Sequence, residues 1–265
     1  MLQLGRKILH VARSSIARTA LLTVGAVALA ACSTIGLGPP PPPPAPTAMQ
    51  TLEYYPFQVK GYQNSYPHKT MLILMPTDAR DLAADGVTDT APLNGNPEIG
   101  VMLDQTGAVS QRLYSTPLGP IVQKAIARSA EEAGLTSSPS DQSAYQKGVK
   151  NPNAYVLECK IRRLWVKKVR GADGQYGPVF RTVAEVSLDV TIYKSPFSIP
   201  FWTGNSKDVY YDPPVGSFGL GPEDEAGIYE DPGQVLSVAM TRAVAGIFQH
   251  PDFRNLVLED DIHPR

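Results

Sequence analysis

Cysteine is scarce in this chain: Cys32 and Cys159 are the only two among 265 residues. Two thiols permit one disulfide at most, which excludes a disulfide-stapled scaffold and leaves the core to be built by packing. Acidic residues are missing before Glu53, although Arg6, Lys7, Arg13 and Arg18 all precede it. Long apolar runs are also missing; the stretch from Leu21 to Ala31 is about half of the ~20 residues a membrane-spanning helix needs. Beyond that stretch histidine occurs only at positions 68, 250 and 263, with no helical or loop spacing suited to a metal and no cysteine nearby to assist. No metal and no cofactor is therefore expected.

What is present at the N-terminus is a basic segment, then the short apolar segment, then Leu29-Ala30-Ala31-Cys32 and Ser33. Unopposed positive charge stays on the cytoplasmic side during translocation, and small residues such as Ala30 and Ala31 suit a signal-peptidase pocket. A cysteine directly after Leu-Ala-Ala is a sharper requirement than an ordinary secretory signal makes. It reads as the cleavage and acylation site of a bacterial lipoprotein, with cleavage between Ala31 and Cys32 and a lipid on Cys32. Each buried methylene of an acyl chain contributes about 0.8 kcal/mol, so several chains hold a protein on a membrane almost permanently. In the bacterial sorting logic this motif resembles, Ser33 rather than Asp after the cysteine directs the protein to the outer membrane, facing the periplasm.

Removing residues 1–31 leaves 20 Lys and Arg against 25 Asp and Glu, a net charge of −5. That balance argues against nucleic acid as a partner. The 43% hydrophobic content is enough for a real core. With Cys32 acylated, Cys159 has no partner for a disulfide and reads as a small buried hydrophobe in a strand rather than a reactive thiol. Between Cys32 and the folded part runs Gly38, then Pro39 to Pro44 without interruption, then Ala45-Pro46-Thr47. Proline fixes φ and has no N–H, so this tract favours polyproline II at ~3.1 Å per residue and acts as a semi-rigid spacer. The expected organisation is a signal peptide over 1–31, a lipidated N-terminus and spacer over 32–50, one globular domain over 51–258 and a polar tail over 259–265.

Within the domain, the apolar run Thr70 to Met75 ahead of Pro76 predicts a central strand, residues 77–97 a loop, and Ile99 to Leu103 a weaker strand. Ser115 or Thr116 is the expected cap of a helix with Pro117 in its first turn and Gly134 as its stop. Tyr155, Leu157, Cys159 and Ile161 alternate with Val156, Glu158, Lys160 and Arg162, and Ala184, Val186, Leu188, Val190 and Ile192 alternate with Glu185, Asp189 and Tyr193 among others beyond a glycine-rich turn. These predict a long hairpin, with Phe201 to Tyr211 as a third antiparallel strand. Asp231-Pro232 predicts the cap and first position of a second helix on Val235, Leu236, Ala239, Ala243 and Ile247, ended by Pro251 and followed by a short turn to Val257. The expected fold class is α+β, a single domain with a mixed, mostly antiparallel sheet packed against two main helices.

Few residues offer chemistry. Gly216-Ser217-Phe218-Gly219 is no nucleophile elbow, because Val215 stands where the first glycine is needed. Gly219 and Gly221 do not sit between a strand and a helix as a phosphate-binding turn would. Asp78, Asp81, Asp85 and Asp89 lack the ordered oxygen pattern of a calcium loop and read as a solvated loop. No catalytic set emerges, and the chain is expected not to be an enzyme. The remaining candidate is a basic stripe, Lys160, Arg162, Arg163, Lys167, Lys168 and Arg170. It has two readings: contact with lipid phosphates or anionic sugars of an envelope, at ~1 kcal/mol per charge near an anionic surface, or charge that protects an edge strand from aggregation.

Leu72-Ile73-Leu74 followed by Asp78-Ala79-Arg80, Ile99-Gly100 ahead of a helix closing on Ala133-Gly134-Leu135, the strand Ala154-Tyr155-Val156-Leu157, and the last helix running into His250-Pro251-Asp252-Phe253 and Leu256 together resemble the YajG-like family of bacterial lipoproteins. The resemblance covers most of residues 68–258 and departs from the family in the 81–97 and 213–230 loops and the proline spacer. A weaker similarity is to the auxiliary lipoproteins of envelope lipid transporters. The first resemblance implies a fold and a compartment and supplies no catalytic residues. The expectation is a membrane-anchored, non-enzymatic envelope lipoprotein acting in interaction or scaffolding, with the membrane, through acylated Cys32, and other envelope proteins or lipid as partners. The alternative is a lipid- or glycan-binding accessory of an envelope transport system. The oligomeric state is not legible.

Overall fold

The computed structural model describes residues 47–49, 66, 69–85, 95–104, 106–141, 151, 153–174, 177–194, 199–212 and 231–262. They belong to one α+β unit within Ala45–Arg265. Its central element is β7 (Ala154–Gly174), which turns back into β8 (Gly177–Lys194). The two pair antiparallel from Tyr155 opposite Lys194 to Gly174 opposite Gly177, and β9 (Pro200–Tyr211) adds to β8 antiparallel. This is the expected hairpin with its third strand.

The other edge of β7 carries three short strands in succession, all parallel to it. They are β2 (Thr70–Leu74), β3 (Thr77–Asp78) and β4 (Glu98–Leu103). β6 (Thr136–Ser140) pairs parallel with β2; β5 (Val109–Tyr114) pairs antiparallel with β4, and β1 (Thr47–Met49) parallel with β5. The parallel ladders are the more numerous and the antiparallel ones the longer, so the sheet is mixed and mostly antiparallel by extent of pairing. β1 lies inside the 32–50 stretch read as spacer. β7 is flanked on both sides, so it is not an edge strand and the edge-protection reading of its charges does not hold.

β2 is apolar because both its faces are covered: Met71 and Ile73 enter the main core, while Leu72 and Leu74 join Val156 and Tyr193 on the opposite face. Alternation in β7 puts Tyr155, Leu157, Cys159 and Ile161 into the main core. The register then shifts between Ile161 and Arg163, leaving Arg162 as the extra residue of a β-bulge. The shift returns Leu164 and Val166 to the core side.

Helix α1 (Leu118–Glu132) follows Pro117, which occupies the cap position without a side-chain hydrogen bond. The expected Ser115 or Thr116 cap is not formed; Ser115 is instead fully buried, its hydroxyl without a hydrogen-bond partner. The far end closes as expected at Gly134, whose φ of 92° allows Leu135 N–H to reach the Ala130 carbonyl at 2.9 Å and Gly134 N–H the Glu131 carbonyl at 3.0 Å. Helix α2 (Pro232–Gln249) starts as its sequence predicts, with the Asp231 carboxylate accepting from Gly233 N–H at 2.9 Å. It is buried on most of its circumference, between β8 and β9 on one side and α1 on another. Small residues permit that approach: Ser206 on β9 donates its hydroxyl to the Ala243 carbonyl at 2.5 Å beside Gly246.

The expected short turn after Pro251 is a third helix, α3 (Pro251–Ile262). Proline ends α2 because the residue before it is pushed out of the helical region, and His250 is extended at φ −60°, ψ 124°. The same proline is well suited to begin a new helix, where its missing N–H is not needed. α3 continues past residue 258 into the stretch read as tail.

Candidate functional site

Register sorts the basic stripe. Lys160, Arg163 and Lys167 share the face away from the main core, with Arg162 beside them in the bulge; Lys168 and Arg170 take the opposite parity, where the Lys168 ammonium lies 5.5 Å from the Phe180 ring centre. β8 brings acids to the first group. Arg162 Nε donates to Asp189 Oδ2 at 2.5 Å, and Asp189 stands directly across from Lys160. Arg163 Nε reaches Glu185 Oε2 at 2.9 Å, and Lys167 Nζ lies 2.9 Å from Glu185 Oε1. Asn205 on β9 donates to the second oxygen of Asp189 at 2.8 Å. Burial works to raise the Glu185 carboxyl, but the Lys167 hydrogen bond and the nearby positive charges of Arg163 and Lys167 outweigh it and hold the group below its ordinary range. The Arg162 hydrogen bond, with that of Asn205, does the same for Asp189. The face is thus a lattice of cross-strand ion pairs in which each acid holds at least one of these cations.

Two further clusters were not found from sequence. Asp260 of α3 is 7% exposed and takes a hydrogen bond from Tyr155 OH at 2.8 Å. Lys69, just before β2, approaches the same oxygen at 3.4 Å, and Lys194, at the end of β8, bonds the other one. Burial would raise the Asp260 carboxyl; the hydrogen bonds from Lys194 and Tyr155 and the two lysine charges bring it below the usual value. Asp260 was hidden by its neighbours, since Glu259-Asp260-Asp261 looks like a polar tail. The available signal was its place three residues after Val257 and seven after Phe253 on one helical stripe.

The second cluster is centred on Arg80, whose side chain is 3% exposed. It holds both oxygens of Asp78 at 2.9 Å and donates to the carbonyls of Glu98 at 2.8 Å and Leu164 at 3.1 Å. Asp78-Ala79-Arg80 therefore ties β3, β4 and β7 together. Glu98 is 5% exposed and paired with Arg112 at 3.0 Å; burial raises its carboxyl against the pull of Arg112 and Arg80.

The other sequence candidates resolve individually. Asp78 is committed to Arg80, Asp81 accepts from Ala83 N–H at 3.2 Å at the start of a 3₁₀ turn (Leu82–Asp85), and Asp89 lies outside the described residues. Among the described residues no group of three His, Cys, Asp or Glu is placed to hold a metal ion. Cys159 is 3% exposed, and burial together with the Asp189 charge pushes its thiol up to about 12, the opposite of an activated nucleophile. His250 packs its ring 5.3 Å from that of Trp202. Cys32, Ala31, His68, His263 and the 216–219 stretch lie outside the described residues.

No protein-family model matches the sequence, and no curated protein does. Among solved structures the fold is similar to a DUF330-family protein from Xanthomonas campestris, at 12% identity and a TM-score of 0.43, over 82% of this chain and 99% of that one. It is also similar to a candidate neuraminyllactose-binding hemagglutinin homolog from Helicobacter pylori, at 8% identity and a TM-score of 0.40, over 80% of this chain and 100% of that one. A Neisseria meningitidis lipoprotein, GNA1162, matches at 13% identity and a TM-score of 0.22, over 54% of this chain and 83% of that one. At these TM-scores none of the likenesses carries an argument about ligand, partner or activity.

Proposed function

We propose that the chain is a lipid-anchored, non-enzymatic component of a bacterial envelope, YajG-like in kind, that works by interaction or scaffolding from the periplasmic side of the outer membrane. The observation that carries this reading is Leu29-Ala30-Ala31-Cys32 at the end of a basic and then apolar leader, followed by six consecutive prolines. Lipid on Cys32 supplies the attachment, and the proline tract holds the domain off the bilayer. No described helix is long and apolar enough to cross a membrane. The buried polar groups of the domain support a structural role, since Arg80, Asp260 and Lys194 are all committed to partners within the fold.

The accessory reading, in which the basic strand meets lipid or glycan, rests on Lys160 on one face of β7 and Lys168 on the other. Arg162, Arg163 and Lys167 support it less, because they are engaged with Asp189 and Glu185.

Replacing Cys32 with Ser in the full chain tests the proposal. The wild type is expected to incorporate a fatty-acid analogue and to fractionate with the outer membrane, and Cys32→Ser to lose the label and the outer-membrane attachment. Continued labelling of the variant would overturn the reading.

A further inference from the structure

β1 marks the point at which the chain from Cys32 joins the domain. Thr47 pairs with Arg112, Arg112 with Val101, Val101 with Lys167, Lys167 with Val183 and Val183 with Tyr211, so one row of residues crosses the sheet from β1 to β9. β1 runs parallel to β5 and therefore opposite to β4 and β7. The chain before Thr47 thus comes in from the end of the sheet towards which β7 runs. That end carries the β7–β8 turn at Gly174 and Gly177 and the β4–β5 turn from Asp104 to Ala108. Residues 33–46, which include six consecutive prolines, are all that separates Cys32 from the row. Extended as polyproline II they reach ~43 Å. The opposite end of the sheet, at Tyr155 of β7, lies ~40 Å from Lys167 at the rise of a strand. A tether of this reach sets the near end against a bilayer easily, and brings the far end there only when stretched almost fully along the sheet.

The near end has the chemistry of a lipid interface. Beyond the row, β7 and β8 outrun the main core, whose last members on them are Val166 and Ala184. The next positions of core-facing parity on β7 are Lys168 and Arg170, and the Lys168 ammonium lies over the Phe180 ring. Arg181 is exposed on the other face of the same arm. Val109, at the start of β5, is 39% exposed, and Tyr211, in the row itself, is 56% exposed. The acids at this end are Asp104, Asp173 and Asp212; Asp104 accepts from Thr106 and Ala108 of its own turn, and Asp212 is buried. Aromatic rings beside long cationic side chains suit a headgroup region, which is apolar on one side and wet on the other.

We propose that this end of the sheet is the bilayer-facing surface of the domain, where Lys168 and Arg181 meet the phosphates of lipid headgroups and Val109, Phe180 and Tyr211 lie at the interface. The inference rests on the acylation of Cys32 read above, and adds which surface the membrane covers. The tether argues for this occupant, since it holds the near end beside the headgroups at a high effective concentration, so that a few contacts suffice. Arg162, Arg163 and Lys167, held by Asp189 and Glu185, are not needed for it.

The full mature chain, acylated and reconstituted in vesicles, tests the proposal. A fluorophore is placed on Val109→Cys at the near end or on Asn153→Cys, an exposed position at the far end, while Cys159 is buried and stays unlabelled. The vesicles contain phosphatidylcholine and a lipid with a quencher on its headgroup, with or without phosphatidylglycerol. Quenching at position 109 is expected to exceed that at position 153 and to grow when phosphatidylglycerol is present. Lys168→Gln and Arg181→Gln should each lower the ratio of docked to undocked domain by about 5-fold, the equivalent of ~1 kcal/mol per cation near an anionic surface, with attachment to the vesicles intact. Equal quenching at the two positions in the wild type, or stronger quenching at 153, would overturn the orientation. Quenching at 109 that is indifferent to phosphatidylglycerol and to both substitutions would overturn the headgroup contact. A chain that does not stay with the vesicles at all fails at Cys32 instead, a separate result that removes the attachment reading and this inference with it.

Discussion

Gly100→Ala is the sharpest single test of how the sheet is assembled. Gly100 pairs with Val166 where β4 meets β7. A Cβ at position 100 would stand 1.9 Å from the Val166 carbonyl oxygen, 2.6 Å from its Cγ1 and 2.8 Å from its carbonyl carbon. Two of these three atoms are backbone, so a rotamer change relieves only one contact, and the strands must separate for the others. Overpacking costs ~1–3 kcal/mol when side chains can shift, and the backbone contacts place this substitution at about 3 kcal/mol. At ~2–4 °C per kcal/mol for a domain of this size, the melting temperature should fall by about 6–12 °C. Urea unfolding followed by circular dichroism should show a lower midpoint with an unchanged slope. Gly95→Ala is the control. Nothing lies within 4 Å of its Cβ, but φ is +81°, so the cost there is torsional and of order 1 kcal/mol. A Gly100→Ala protein within about 0.5 kcal/mol of wild type, the ordinary scatter of surface substitutions, would refute the close approach of β4 to β7.

Two other outcomes follow from the titrating groups. Asp260, Asp189 and Glu185 are held below their ordinary values in the folded state, so each contributes stability that is present above the unfolded carboxylate range and lost as pH falls through the folded value. Glu98 is raised and contributes in the opposite sense, with stability present below its unfolded value and lost as pH rises through the folded one. With three groups acting in one sense and one in the other, urea midpoints should fall as pH drops below ~4, with a smaller fall in Asp260→Asn; a midpoint rising towards acid would show that Glu98 dominates. The Cys159 thiol, at about 12 and buried, should resist a thiol reagent at pH 8 in the folded Cys32→Ser protein and react after denaturation, whereas rapid reaction in the folded state would contradict its burial.

The sequence was most legible where one physical signal acted alone. Period-two alternation located β7 and β8, and Asp231-Pro232 located the start of α2 through a carboxylate and a proline that suit only that position. It was least legible where tertiary contacts overrode local signals. β5 has few apolar residues and a mostly half-exposed pattern, and β6 is Thr-Ser-Ser-Pro-Ser; each is a strand because a neighbour supplies the ladder. Ser115 has the chemistry of a cap but is drawn into the interior ahead of α1. The cluster around Asp260 joins residues separated by as many as 191 positions, a distance over which no spacing rule applies.

The basic stripe shows how the same limit bears on function. Counted along β7, six cations suggest a surface for anions. The bulge at Arg162 splits them between the faces, and β8 lays Glu185 and Asp189 across the larger group. An anionic surface approaching that face gains ~1 kcal/mol per nearby cation, yet it must also approach both carboxylates, to which Arg162, Arg163 and Lys167 are already paired. Repulsion by Glu185 and Asp189 then offsets part of the attraction of the four cations on this face. The geometry of the strand pair therefore ties Arg162, Arg163 and Lys167 into the fold, which counts against the lipid or glycan reading of the stripe.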